Sequence, residues 1–271
     1  MDNFKKRKPI LAFFLSLVTP GLGQIYNGQF KKGVSYLVGF LFVYLVFSFL
    51  LFTYNGLIFY LIVVLGVYLL ILIDAVRGAN KLKAITLKPF NNWYIYLIIF
   101  LLGNVVMLSL LRWTVRNNIA RPYKMPASSM APTLLPGDHL IADMRIYKKP
   151  QRGDIIIFEF PKDPSKDFIK RVISMEGEKV EVIENKIYIN EKLLDDPWGY
   201  FEEAGFAKKY PASEAFGPVV VPKDSLFVLG DNRNYSMDSR HWGFLDIKKV
   251  KGKALYLYWA KNKSRIGMEL K

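Results

Sequence analysis

Cysteine is absent from the 271-residue chain, and histidine occurs only at positions 139 and 241. The first absence excludes a structural disulfide and any thiolate-bound metal cluster. Two histidines cannot make a three-histidine zinc site, which leaves only mixed histidine/carboxylate sites. Charge is also missing over long stretches: the 41 residues from Gly33 to Ile73 hold no Asp, Glu, Lys or Arg, and neither do Pro89 to Leu111. Acids are scarce early on. Residues 1–111 carry ten Lys/Arg against two acids, or +8, and residues 112–271 carry 28 against 21, or +7. A total of +15 invites a nucleic-acid reading, but 52% of residues are hydrophobic, and positive charge beside membrane spans explains the surplus more simply. No nucleic-acid partner is expected.

As a single helix the Gly33–Ile73 run would be about 60 Å long, twice a hydrocarbon core of ~30 Å. Two spans are therefore expected, at about 33–53 and 57–74, with the turn at Tyr54-Asn55-Gly56. A third is expected at about 93–111, opening on Trp93 at the interface. The segment from Ile10 to Gly23 follows Lys5-Lys6-Arg7-Lys8 and contains Pro20. Its continuous apolar stretch is too short for a span, and no small-x-small site marks it as a cleavable leader. Topology decides between the remaining readings. If this segment crosses, four spans return the C-terminal part to the cytoplasm and leave Arg77, Lys81, Lys83 and Lys88 outside. If it is interfacial or re-entrant, three spans place the C-terminal part outside and all ten basic residues inside. The second reading is adopted: residues 1–111 form a membrane domain, and 112–271 an extracytoplasmic domain. The stretch Thr19–Gly33 resembles the turn of small two-helix membrane modules, and no chemistry is attached to it.

Beyond about Asp138 the period changes to that of strands. Asp154–Phe160, Val180–Ile183, Lys186–Ile189, Ser225–Leu229 and Ala254–Trp259 are short and rich in β-branched and aromatic residues. Glu184-Asn185 is a hairpin candidate. No long amphipathic helix interrupts them, so an all-β domain is expected.

A serine nucleophile needs a base, because its hydroxyl is weakly nucleophilic at neutral pH. Ser128 and Ser129 lie in Met125-Pro126-Ala127-Ser128-Ser129-Met130-Ala131-Pro132, where a serine between prolines is most simply a turn residue. His139 reads as a half-exposed strand residue and His241 as a surface residue. The chain has neither a G-x-S-x-G elbow nor a Ser-x-x-Lys pair at this serine. Lysine remains, and it serves as a base only where burial keeps it neutral. Strand alternation puts Phe168, Lys170 and Val172 on one face and Ile169, Arg171 and Ile173 on the other. That alternation suits a desolvated lysine and also an edge-strand lysine in water.

Four ordered motifs then carry a resemblance: Pro126–Leu134, Arg152-Gly153-Asp154, Ile169-Lys170-Arg171 and Gly230–Arg240 (GDNRNYSMDSR). Phe216–Val219 with Val221-Pro222 is a weaker fifth. Over roughly residues 112–258 the sequence resembles bacterial type I signal peptidase, also called leader peptidase, a serine endopeptidase of family S26. The resemblance implies a mostly-β catalytic domain behind N-terminal transmembrane helices. It implies a multi-pass protein of the bacterial inner membrane, with the catalytic domain on the periplasmic side. Its substrates would be exported preproteins, cut after small residues at −1 and −3, and it implies no metal or other cofactor. By position, Ser129 matches the nucleophile and Lys170 the general base. Ser236 matches the residue that hydrogen-bonds and orients the lysine, and Asp238 and Arg240 match a supporting ion pair. Asp231 and Asn232 lie in the turn that carries them. The Ser129 backbone N–H matches one oxyanion donor.

One position departs from the pattern. Relatives of the Gram-negative type often place a second serine two residues before the nucleophile, and here that residue is Ala127. A water or the Ser128 hydroxyl would have to replace the missing donor. Ile141 and Ile155 are candidate pocket-lining positions. Lys248, Lys249, Lys251, Lys253, Lys261, Lys263 and Arg265 form a basic tail, read as a solvated face or as a contact for anionic lipid head groups at about 1 kcal/mol each. Two alternatives stay open: a peptidase of the same superfamily with one dedicated substrate, and a membrane-anchored relative that binds peptides without cutting them.

Overall fold

The computed structural model describes residues 4–82, 85–145, 150–184, 186–201 and 215–270. Lys83, in the basic count, and Asn185, in the expected hairpin turn, lie outside them. The chain divides into two compact units, Met1–Ile119 and Ala120–Lys271. The division falls eight residues after Leu111, because the last helix of the first unit continues past the apolar run to Asn118.

The first unit opens with β1 (Phe4–Lys5), which pairs antiparallel with β2 (Ile85–Thr86). Helix α1 (Pro9–Val18) follows; at 10 residues it is about 15 Å long, half a hydrocarbon core. Pro20 cannot continue it, and the chain turns back through Gly21 into α2 (Leu22–Tyr26). The approach is close because the residues are small. A Cβ on Gly23 would lie 2.2 Å from the Ala12 carbonyl oxygen, and one on Gly21, at φ +90°, would lie 2.0 Å from that of Gly33.

Helix α3 (Phe30–Phe47) continues as a 3₁₀ turn over Ser48–Phe52, and α4 spans Tyr54–Lys81. The reversal between them falls at Phe52-Thr53, not at Tyr54-Asn55-Gly56. Thr53 caps α4 by accepting the Gly56 N–H at 3.0 Å, which draws those three residues into the first helical turn. Helix α5 (Trp93–Phe100), a π-helical stretch over Leu101–Met107 and α6 (Leu108–Asn118) run on without a break. Among the described residues, three helices are thus long and apolar enough to cross a membrane: Phe30–Phe52, Tyr54–Lys81 and Trp93–Asn118, of 23, 28 and 26 residues.

Several polar side chains inside this unit reach partners on neighbouring helices, as suits a place where water is scarce. Gln24 Nε2 donates to the Ile71 carbonyl at 2.8 Å and to Asp74 Oδ2 at 3.1 Å. Lys32 Nζ holds the other Asp74 oxygen at 2.7 Å, and Asn27 Nδ2 donates to the Ala75 carbonyl at 2.8 Å.

The second unit is built of antiparallel strands. They are β3 (Ala120–Lys124), β4 (His139–Asp143), β5 (Ile155–Phe160), β6 (Asp163–Met175), β7 (Lys179–Ile183), β8 (Lys186–Ile189), β9 (Lys192–Leu193), β10 (Ala215–Val220), β11 (Ser225–Leu229), β12 (Leu245–Asp246) and β13 (Val250–Trp259). Seven pair in the order β12-β11-β6-β5-β13-β4-β3 and four in the order β10-β7-β8-β9. The short helix α7 (Ser239–Trp242) follows β11.

Strand β6 is central to the larger sheet, and its residues Ile169 to Ser174 are all buried, so both of its faces are covered. Ile169 packs with Met130, Leu134, Ile155 and Ile157. Val172 packs with Ile156, Phe158, Leu226 and Val228. Ile173 joins Phe227 and Leu229 against the apolar face of the smaller sheet, formed by Val180, Val182, Ile187 and Ile189.

Candidate active site

Ser129 sits in the loop between β3 and β4, which is pinned at both ends. Met125 exchanges backbone hydrogen bonds with Asp138 and Gly137, both at 2.8 Å, and Met130 and Leu134 are fully buried anchors. Arg265, near the C-terminal end, donates to the carbonyls of Pro132 and Thr133 at 3.1 and 2.8 Å and to Asp138 at 2.7 Å. The Ser129 carbonyl accepts the Asn232 N–H at 3.2 Å. That contact depends on Gly230, where a Cβ would fall 2.3 Å from the Ser129 oxygen and 2.2 Å from Ser236 Oγ.

Lys170 comes from the middle of β6, opposite Ile156 of β5. Its Nζ lies 2.8 Å from Ser129 Oγ, and the residue is 3% exposed. Phe168, two positions earlier on the same face, sets its ring centre 5.5 Å from that nitrogen. Burial pushes the ammonium pKa down to about 8; Asp238 and Asp231 oppose the shift, and Arg240 adds to it. The lysine belongs to the desolvated class, not to a solvated sheet edge.

A second layer of charge surrounds the pair. Asp238 and Arg240 are buried and bonded at 2.9 Å through two side-chain contacts, and Asp238 also accepts the Gly230 N–H at 3.1 Å. Burial alone would raise the Asp238 pKa; Arg240, Ser236 and the Gly230 N–H outweigh it and hold the carboxyl below its usual range. Ser236 is fully buried beside this carboxylate. Among the described residues its Oγ meets no partner at full hydrogen-bonding geometry, so the expected bond to Lys170 is not formed. It is packed beneath Gly230, and the lysine is directed to Ser129 instead. Ala127 and Ser128 are exposed at the rim.

The Ser129–Lys170 pair opens into a cleft of about 700 Å³ that is also lined by Tyr123, Met125, Phe168, Ile169, Tyr235 and Met237. The sequence matches the family described as signal peptidase, peptidase S26, over residues 97–259. The chain belongs to that family. It is accordingly a serine endopeptidase, a hydrolase. It is 37% identical to the probable signal peptidase I-2 of Synechocystis over 69% of this chain and 81% of that one. The signal peptidase I of Bacillus caldolyticus is 35% identical, over 54% of this chain and 83% of the relative. The chloroplastic thylakoidal processing peptidase 1 of Arabidopsis thaliana is 37% identical over 55% of this chain, which spans only 44% of that longer relative.

Within this family member several sequence expectations need correction. Ile155 is fully buried in the core and Ile141 is 8% exposed, and neither lines the cleft. Both lie on strands whose two faces are covered, β5 and β4, so their side chains pack inward. Neither histidine lines the cleft either; His139 Nδ1 lies 3.2 Å from the Tyr258 hydroxyl. The basic tail is partly neutralised: Lys251 pairs with Glu159 and Asp167, Lys253 with Asp154, and Arg265 with Asp138.

Asp231 does more than lie in a turn. It takes the Arg171 guanidinium through two bonds of 2.8 and 2.7 Å, both side chains fully buried, while Arg171 Nη1 reaches the Gly153 carbonyl at 2.6 Å. This pair joins β6 to the end of β11, the two segments that bring Lys170 and Asp238 together. Its sequence signal was a charged residue in a strand otherwise apolar on that face. The buried Arg233 with the partly exposed Asp196 is a further ion pair that motif reading missed.

Proposed function

We propose that this chain is a membrane-bound peptidase that removes N-terminal signal peptides from exported preproteins, with Ser129 as nucleophile and neutral Lys170 as base. The observation that carries the reading is the 2.8 Å contact between a buried lysine, its pKa lowered by desolvation, and the hydroxyl of Ser129, both lining one cleft. Lys170 takes the Ser129 proton as the oxygen attacks the scissile carbonyl. The tetrahedral species collapses when Lys170 returns that proton to the leaving amine, which leaves an acyl-serine ester. Lys170 then deprotonates a water that attacks the ester and passes that proton to Ser129 Oγ as the ester bond breaks. This releases the signal peptide with a new carboxyl group and regenerates Ser129; the shortened protein has already left as the amine. The Ser129 N–H donates to the oxyanion, with the Ser128 hydroxyl or a water in place of the donor that Ala127 lacks. Loss of one such donor elsewhere costs about 3–4 kcal/mol.

The three apolar helices serve as the anchor. The charge pattern supports a topology with the ten basic residues of 1–111 on the cytoplasmic side and residues 120–271 outside, with only Arg112 and Arg116 at the third helix running against it. A signal peptide's own apolar segment lies in the same bilayer, so enzyme and substrate meet in two dimensions. The −1 and −3 residues enter the cleft in an extended chain.

The test is an exported precursor with an Ala-x-Ala site, incubated with the wild type, Ser129→Ala and Lys170→Ala. Wild type should cut it, and each variant should be slower by at least about a thousandfold. The reading is falsified if wild type leaves the precursor whole or if either variant cuts it normally. A panel of unrelated precursors separates a general peptidase, which cuts most of them, from one with a single substrate.

A further inference from the structure

Arg7 stands just before α1, where no acidic side chain among the described residues pairs with it. The residue is 6% exposed, and its guanidinium carbon sits 4.4 Å from the centre of the Tyr26 ring. Its Nε and Nη2 are buried without a hydrogen-bond partner. A buried cation with idle donors is an arrangement that folded proteins avoid, and an aromatic face compensates for only part of it.

The surroundings are built. The Tyr26 hydroxyl accepts the Lys8 N–H at 3.1 Å, Asn91 Nδ2 donates to the Ile25 carbonyl at 3.0 Å, and β1 with β2 holds the segment in front of Arg7. Helix α1 has no acidic residue in its first turn, so its free N–H groups add positive potential at the same place. Lys5, Lys6 and Lys8 flank Arg7, and Lys88 follows β2. Residues 1–119 hold two acids: Asp2, outside the described residues, and Asp74, whose two oxygens already serve Lys32 and Gln24. Arg7 also lies at the end of the unit where α3 begins and α4 finishes, the level at which spanning helices meet lipid head groups.

We propose that Arg7 and the first turn of α1 form an anion site that takes a phosphate, supplied by the phosphodiester of a membrane phospholipid. The idle Nε–Nη2 edge of the guanidinium matches two phosphate oxygens, which an ammonium cannot do, and basic pockets among spanning helices are where such head groups bind. Free inorganic phosphate shares the chemistry and is the other source.

The experiment uses the full-length protein, delipidated in detergent. Phosphatidylglycerol or inorganic phosphate is then added, and bound lipid is read by native mass spectrometry and the thermal midpoint by unfolding. Wild type should retain one phosphatidylglycerol and gain stability. Arg7→Gln should bind it at least roughly tenfold more weakly, whereas the double variant Lys6→Gln/Lys8→Gln should change by only about two- to threefold. Stabilisation of wild type by free phosphate to the same degree as by lipid also supports the site and names the free ion as its occupant. The proposal is overturned if neither anion stabilises wild type, if Arg7→Gln holds lipid as wild type does, or if the lysine pair matters as much as Arg7. Should Arg7→Gln fail to fold, the wild-type arm decides alone.

Discussion

On the proposed mechanism Lys170 must be neutral to act and is nevertheless a lysine, so the pH dependence of the reaction should follow this one residue. With its pKa lowered to about 8, roughly a quarter of the enzyme carries the free amine at pH 7.5. Activity, read as kcat/KM on a precursor peptide, should therefore rise with pH through about 8 and level above it; a profile flat from pH 6 to 9 would contradict a lysine base. Folding responds in the same direction. The unfolded lysine binds its proton up to about 10.5 and the folded one releases it near 8, so Lys170 makes stability rise with pH across that interval. Ser129 and Lys170 were legible because each lies in a short ordered motif. The Arg171–Asp231 pair was not, because its members are 60 residues apart and only folding brings them together. Arg171→Met should leave Asp231 buried and uncompensated and cost about 3–5 kcal/mol, and adding Asp231→Asn should recover much of that. Thermal unfolding of the two single variants and the double closes the cycle; simple additivity would deny the coupling.

At the scale of elements, the Ser129–Lys170 contact depends on how two loops are held against β6. The serine loop is clamped from the C-terminal end by Arg265, and the Gly230–Arg240 loop touches it through the Asn232 N–H. Gly230 sits where the loops come closest, so Gly230→Ala forces apart the Ser129 carbonyl and the Ser236 hydroxyl. A displacement near 1 Å at a reacting group costs about a hundredfold, so kcat should fall by that order while the thermal midpoint moves little. Unchanged kcat would show that the loops have slack. The strand cores were legible from β-branched runs, since Ile155–Phe160 and Ser225–Leu229 recur almost residue for residue. The 13-residue length of β6 was not, because Asp163–Asp167 is polar and pairs with β5 only by virtue of its partner. Helix α4 likewise begins earlier than its turn-like Tyr-Asn-Gly suggests, because the Thr53 cap outweighs the local turn preference.

For the whole molecule, the uneven charge supports the proposed topology, and the missing cysteines provide the means of testing it. The apolar runs disclosed three long helices. They did not disclose the extension of the third to Asn118, since Arg112 and Arg116 look like a boundary, yet long cationic side chains are tolerated at a span's end by reaching to water. The number of crossings turns on α1, whose 10 residues end at Val18, after which the chain turns back through Pro20 and Gly21. The chain has no cysteine, so each introduced thiol is the one reactive site in the protein. Single replacements at Asn55, Lys88 and Lys263 in intact cells, probed with a membrane-impermeant maleimide, distinguish three crossings from four. With three, thiols at 55 and 263 react from outside, and the thiol at 88 reacts only after the cells are opened. With four, the pattern inverts at all three positions, and the Ser129–Lys170 site would face the cytoplasm, where a precursor emerging from the membrane could not reach it.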